Sequence, residues 1–181
     1  MDHAAECYRR FLDGDESAVD AIMGELFFPL VFFVNRYLGD IPASEDVAMD
    51  AVTELLVEKR YNFKVTLKTY LFLLGKSRAL NALKHRRRLG ETELSEAADL
   101  AEENALEQRA LDSDRKRAVN AALAGLPEQM RLAVHLVYFE GLSYEEAARV
   151  MKKSRKQVDN LLTRAKKELR AILGEEGRQY L

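Results

Sequence analysis

The sequence predicts an all-α protein made of two small helical domains joined by an acidic linker. With three Pro and nine Gly in 181 residues, helix breakers are few. Long windows repeat apolar residues at intervals of three and four, and no stretch alternates as a strand would. Charge comes in blocks: residues 1–60 carry 5 basic and 13 acidic side chains, 61–90 carry 8 basic and no acidic, 91–114 carry 1 basic and 9 acidic, and 115–181 carry 14 basic and 8 acidic. The stretch GETELSEAADLAEENALEQRALDSD, residues 90–114, is rich in Ala and Glu and poor in large apolar residues, so it can bury little and divides the chain. The predicted organisation is a first domain at 1–89, a linker at 90–114, a second domain at 115–173 and a tail at 174–181.

From Val19 to Leu89 the periodicity predicts three or four helices, preceded by a terminus expected to fray. Pro29, inside LFFPLVFFVNRYL, should kink or end a turn because it lacks an N–H and crowds the preceding turn. Gly39 and Asp40 mark a break, and Ser44 is a candidate cap for EDVAMDAVTELLVEK. YNFKVT, polar-aromatic with two β-branched residues, suits a loop. LKTYLFLLGKSRALNALKHRRRL then resumes helical spacing and ends in a basic tail at Gly90. Beyond the linker the spacing predicts four helices, with breaks at Gly125 to Pro127, at Gly141 and Leu142, and at Lys152 to Ser154.

Several function classes are excluded by what the sequence lacks. Cys7 is the only cysteine, so no intramolecular disulfide can form, and His3, His85 and His135 show no zinc-type spacing. No cofactor or metal is expected. Neither a nucleotide-binding loop nor a nucleophile with its base is visible, so the chain is not expected to be an enzyme. The longest apolar run, LFFPLVFFV, is too short to span a bilayer, and the N-terminus does not read as a secretory signal; the expectation is a cytoplasmic protein with no membrane partner.

The second basic block carries a specific pattern. Ser143 and Glu146 form a Ser-x-x-Glu capping box, and Ser154 and Gln157 form a Ser-x-x-Gln box eleven residues later. Two helix starts so close give a short helix, a tight turn and a longer helix, the helix-turn-helix plan. On the longer helix Val158, Leu161, Leu162, Ala165, Leu169 and Ile172 follow core spacing. That places Lys156, Asn160, Thr163 and Lys167 on the opposite face, flanked by Gln157 and Arg164. Lys and Arg suit guanine acceptors and phosphates, and Asn and Gln suit the edge of adenine. By itself this motif fits a repressor, an activator or a promoter-recognition subunit equally.

From Leu126 onward, LPEQMRLAVHLVYFEGLSYEEAARVMKKSRKQVDNLLTRAKKELR resembles region 4 of the sigma-70 family, the initiation subunits of bacterial RNA polymerase, and within it the extracytoplasmic-function (ECF) class. LuxR-type output domains share a similar helix-turn-helix, so a stand-alone transcriptional regulator is the alternative. The first domain favours the sigma factor: SEDVAMDAVTELLVE resembles region 2.2, and FKVTLKTYLFLLGKSRALNALKHRRR resembles regions 2.3 and 2.4. The chain departs from the family pattern at Met49, where many members have Gln, at Tyr70, where Trp is usual, and at Leu73 and Ser77, where Arg and Asn are common. Lys152 stands at a turn position where Gly is usual.

The resemblance implies a factor that binds core RNA polymerase and promoter DNA, with an anti-sigma factor as a further candidate partner. Glu45, Asp46 and Asp50 are the implied polymerase contacts. For the minus-10 element, Tyr61, Phe63 and Tyr70 are the aromatics available to stack on unpaired bases, with Lys64 and Lys68 for the strand. Lys76, Arg78, Asn81, Lys84 and Arg86 would serve the adjacent duplex. Tyr70 also fits the core, since it shares helical spacing with Leu67, Leu71 and Leu74. For the minus-35 element the implied readers are Lys156, Gln157, Asn160, Thr163, Arg164 and Lys167. Two DNA elements about two helical turns apart lie roughly 70 Å from each other, whereas a flexible coil of the linker's length averages only about 25 to 30 Å end to end. Simultaneous binding therefore favours an extended linker held by a third party.

Overall fold

The structure is a computed structural model and describes residues 2–88 and 114–173. These residues form eight α-helices and no strand, in two compact units within Met1–Asp99 and Leu100–Leu181. Of the expected linker, residues 90–113 lie outside the described residues, as does the tail at 174–181, while Asp114 opens a helix.

Unit 1 contains α1 (His3–Leu12), α2 (Ala18–Leu38), α3 (Ile41–Glu58) and α4 (Leu67–Arg88). The terminus expected to fray is helix α1. Asp2 caps it, one carboxylate oxygen accepting the Ala5 N–H at 3.2 Å. Ten residues are too few for a stable isolated helix. Tertiary contacts supply the rest: Ala4, Ala5, Cys7 and Tyr8 are buried, and the Tyr8 hydroxyl donates to the Leu55 carbonyl at 3.1 Å.

Helix α2 continues through Pro29, which therefore does not end it. Proline removes one ladder bond, and the buried Leu26, Leu30 and Val31 on either side of it hold the helix through that gap. By length and composition α2 could cross a membrane, with a mean hydropathy of 1.6; Ile22, Leu26, Leu30, Val31, Phe33 and Val34 are instead buried within unit 1. Gly39, at φ +63°, ends α2.

The cap of α3 is Asp40 and not Ser44. Asp40 accepts the Ala43 N–H at 3.0 Å. Ser44 lies inside the helix, fully buried, its hydroxyl 2.6 Å from the Asp40 carbonyl oxygen and 3.3 Å from Asn35 Oδ1. A buried hydroxyl needs such partners, since leaving it unpaired costs about 1 to 3 kcal/mol.

Helix α4 lies close against α2. A Cβ on Gly75 would fall 2.8 Å from Leu30 Cδ1 and 3.0 Å from Val34 Cγ2, so the bare backbone is what permits this approach. Beside it Phe33 and Phe72 stack with centroids 4.4 Å apart. Residues 59–66, which include the expected loop YNFKVT, are non-helical.

Unit 2 contains α5 (Asp114–Ala124), α6 (Glu128–Val134), α7 (Tyr144–Met151) and α8 (Arg155–Leu173), with all three breaks where the sequence puts them. Its core joins Leu126, Met130, Leu136 and Leu142 to Val150, Val158, Leu162, Ala165 and Leu169. Arg131 donates to the carbonyl of Ala124 at 2.7 Å, satisfying one free acceptor at the end of α5. After Val134 the helix widens into a π turn, His135–Phe139, which leaves Tyr138 and Phe139 exposed. Ile172, expected in the core, is 54% exposed. Its Cδ1 lies 3.8 Å from where a Cβ on Gly125 would stand.

Candidate nucleic-acid and polymerase interfaces

Both predicted capping boxes form, one at the start of α7 and one at the start of α8. Ser143 Oγ accepts the Glu146 N–H at 3.2 Å while Glu146 accepts the Ser143 N–H at 3.0 Å. The Ser154 N–H donates to Gln157 Oε1 at 2.8 Å, and the Gln157 N–H donates to Ser154 Oγ at 3.2 Å. Between them Lys152 adopts the left-handed conformation, φ +55°. The buried Ala147 and Ala148 keep α7 slim where it meets α8. An exposed ion pair, Arg155 to Glu145 at 3.0 Å, links the first turns of the two helices.

Lys156, Gln157, Asn160, Thr163, Arg164 and Lys167 are all exposed along α8. Gln157 differs from the others because its carbonyl oxygen is already used in the cap; its amide N–H groups remain to donate. Lys166 is not part of this surface. Its ammonium lies 5.2 Å from the Tyr138 ring centre, and hydrogen bonding to that tyrosine raises its pKa.

In unit 1 the structure brings together some of the predicted residues and separates others. The acidic set is contiguous: Glu45, Asp46 and Asp50 are exposed on α3. Sequence reasoning missed their neighbours on the same face, Met49, Thr53 and Val57, with Met49 46% and Val57 70% exposed. Large apolar side chains left in water beside carboxylates were the available signal.

The minus-10 set is divided. At about 100° per residue, Tyr70, Ser77, Asn81 and Lys84 fall on the outer face of α4, where Ser77, Asn81 and Lys84 are exposed and Tyr70 is half-buried. Burial, and secondarily the charge of Glu54, raises the Tyr70 pKa. Lys76 and Arg78 occupy opposite flanks. Lys76 leans over the Tyr37 ring at 6.0 Å. Arg78 turns toward α3, donating to Glu54 Oε2 from Nε at 3.0 Å and from a terminal nitrogen at 2.6 Å, with Asp50 a further 3.6 Å contact. Arg86 reaches Asp40 at 3.6 Å. Lys68 is half-buried at the start of α4.

The loop has its own architecture. Tyr61, expected to offer its ring to a base, is 5% exposed, and its hydroxyl donates to the Val65 carbonyl at 2.7 Å. Tyr61 is therefore the inner anchor of the loop. Its ring is covered by Tyr8, Phe63 and Tyr70, at centroid distances of 5.5, 4.6 and 5.2 Å. Phe63 is half-buried and Lys64 exposed.

The family model described as sigma-70, region 4 matches residues 116–169. A relative, the RNA polymerase sigma-H factor of Pseudomonas aeruginosa, is 31% identical over 149 residues, covering 76% of this chain and 77% of that protein. The chain belongs to the sigma-70 family. Its class is ECF. Two solved structures share the fold of this sigma factor. The sigma factor RpoE, in complex with the anti-sigma factor NepR from Bartonella quintana, has a TM-score of 0.60 at 18% identity, covering 86% of this chain and 96% of that one. CnrH, in complex with the cytosolic domain of CnrY, has a TM-score of 0.56 at 20% identity, covering 94% of both chains. The region 4 match extends from α5 through most of α8, so the double-capped turn lies inside it.

Proposed function

We propose that this sigma factor directs promoter-specific initiation in the cytoplasm by binding core RNA polymerase through α3 and promoter DNA through α4 and α8. Glu45, Asp46 and Asp50 would meet a basic polymerase surface, with Met49 and Val57 adding apolar area. Phe63, Lys64, Tyr70, Asn81 and Lys84 form the outer surface offered to the minus-10 element; Arg78 and Arg86 join it only after leaving their carboxylate partners. Lys156, Asn160, Thr163 and Arg164 would read the minus-35 element, Lys167 would hold phosphate, and Gln157 would donate from its amide while capping.

The observation that carries this reading is α8: a helix started by a reciprocal cap directly after the likewise capped α7, buried along one side and lined on the other with exposed groove-reading side chains. An anti-sigma factor is proposed as a further partner, since RpoE and CnrH are each described in complex with one or with a partner's cytosolic domain.

Transcription in vitro tests the reading. Core polymerase with this protein should yield discrete start sites on a genomic template library that core polymerase alone does not give. Identical transcripts with and without the protein would leave a stand-alone regulator as the better account. Such a regulator should bind an operator without polymerase, usually as a dimer on paired half-sites.

A further inference from the structure

The loop between α3 and α4 is tied to α1 at three points. Near its start, the buried Tyr61 ring meets the edge of Tyr8. In its middle, Phe63 holds φ +60°, a conformation rare for an aromatic residue. The Phe63 ring lies 6.0 Å from the Tyr8 ring and 4.7 Å from the guanidinium carbon of Arg9. At its end, the second carboxylate oxygen of Asp2 accepts the Leu67 N–H at 2.7 Å. One carboxylate thus caps α1 and takes a free N–H in the first turn of α4, where the helix dipole also favours a negative charge.

A strained backbone persists only where its surroundings hold it. Around Phe63, two of those holds, Tyr8 and Arg9, come from α1. Arg9 itself contributes little to the core. It is exposed, and its guanidinium is shared between the face of Phe63 and the Glu6 carboxylate at 3.0 Å. What keeps α1 in place is the buried set of Ala4, Ala5, Cys7 and Tyr8.

We propose that α1 is a working part of minus-10 recognition: Arg9 is a positioning residue that holds Phe63 as a stacking surface for an unpaired base, and Asp2 fixes the far end of the loop that carries Lys64. This rests on the reading of the loop and α4 as the minus-10 surface. It adds a helix that lies outside the segments resembling regions 2.2 to 2.4.

The test uses holoenzyme on a promoter identified by the transcription assay, with 2-aminopurine in the minus-10 non-template strand to report unstacking. Wild type is compared with Arg9→Met, Arg9→Lys, Phe63→Ala and the Arg9→Met/Phe63→Ala double variant. Arg9→Met should lower the unstacking equilibrium about fivefold, and Arg9→Lys, which keeps a cation over the ring, should recover most of it. Binding to a minus-35 fragment should be unchanged. In the Phe63→Ala background Arg9→Met should add nothing. Loss with Phe63→Ala but wild-type behaviour with Arg9→Met, or additive losses in the double variant, would overturn the role of Arg9 and leave the minus-10 reading standing. Wild-type behaviour of Phe63→Ala would overturn that reading of the loop, and the proposal with it.

Discussion

On α8, Lys156, Asn160, Thr163, Arg164 and Lys167 stand exposed, and their side chains form no hydrogen bond or ion pair with other described residues. On α4, Arg78 is bound to Glu54 and Asp50, Arg86 to Asp40, and Lys76 rests over Tyr37. The same residue types therefore start from different states. At the DNA surface proposed for α8, a cation would give up only water. Arg78 and Arg86 on α4 would first have to give up a carboxylate on their own unit, and one partner of Arg78, Asp50, belongs to the acidic face proposed for polymerase. Region 2 thus links its two proposed surfaces through shared side chains, whereas the region 4 face stands alone.

The largest expected effect is on the acidic face. Asp46 is exposed and carries no ion pair to another described residue, so Asp46→Lys replaces an attraction to a basic surface by a repulsion. Core polymerase affinity should fall by about 2 to 4 kcal/mol, with the fold intact by circular dichroism. Equal capture of polymerase by wild type and variant would remove α3 from the interface.

Next in size is Asn160→Ala. Loss of a base-edge contact should cost about 1 to 3 kcal/mol at one promoter position and relax selectivity there. Gln157→Ala should behave differently, lowering stability by about 0.5 to 2 kcal/mol through the lost cap. Its effect on selectivity should be smaller. A promoter panel in which Asn160→Ala retains full selectivity would mean that α8 does not read bases with this face.

The sequence made unit 2 more legible than unit 1 because the signals in unit 2 are local. Each box closes over three residues, and the turn between the helices spans only Lys152 to Ser154. The break at Gly39 and Asp40 is equally local, but Ser44 also precedes an apolar run and so competes with Asp40 as the cap; only the burial of Ser44 against Asn35 shows that it lies inside the helix. Helix α1, the burial of Tyr61 and the pairing of Arg78 were not legible. Each depends on a contact across tens of residues, such as Tyr8 to Leu55 or Arg78 to Glu54, that no periodicity announces.

Arg78 offers a direct way to sharpen the contrast between the two surfaces. Glu54→Gln keeps the shape of the partner and removes its charge, so Arg78 is held less firmly. Half-exposed ion pairs of this kind contribute roughly 0 to 1 kcal/mol, and fork-like DNA should bind the polymerase-bound variant more tightly by about that amount. The salt dependence should steepen by about one phosphate contact. If Glu54→Gln weakens DNA binding instead, the ion pair orients Arg78 for DNA and does not withhold it.

An effect of similar small size belongs to the turn of unit 2. Lys152 ends α7 at φ +55° and ψ +46°, where a side chain on Cβ crowds the backbone and glycine does not. Against that gain, glycine adds conformational freedom to the unfolded chain. Lys152→Gly should still stabilise the turn by about 0.5 to 1 kcal/mol, since a left-handed non-glycine residue costs roughly 1 to 2 kcal/mol. The Lys153 amide, which donates to the Ala148 carbonyl at 2.9 Å, is the local reporter: its hydrogen exchange in the full chain should slow severalfold. Faster exchange would mean that the lysine side chain holds the turn by more than the strain its backbone costs.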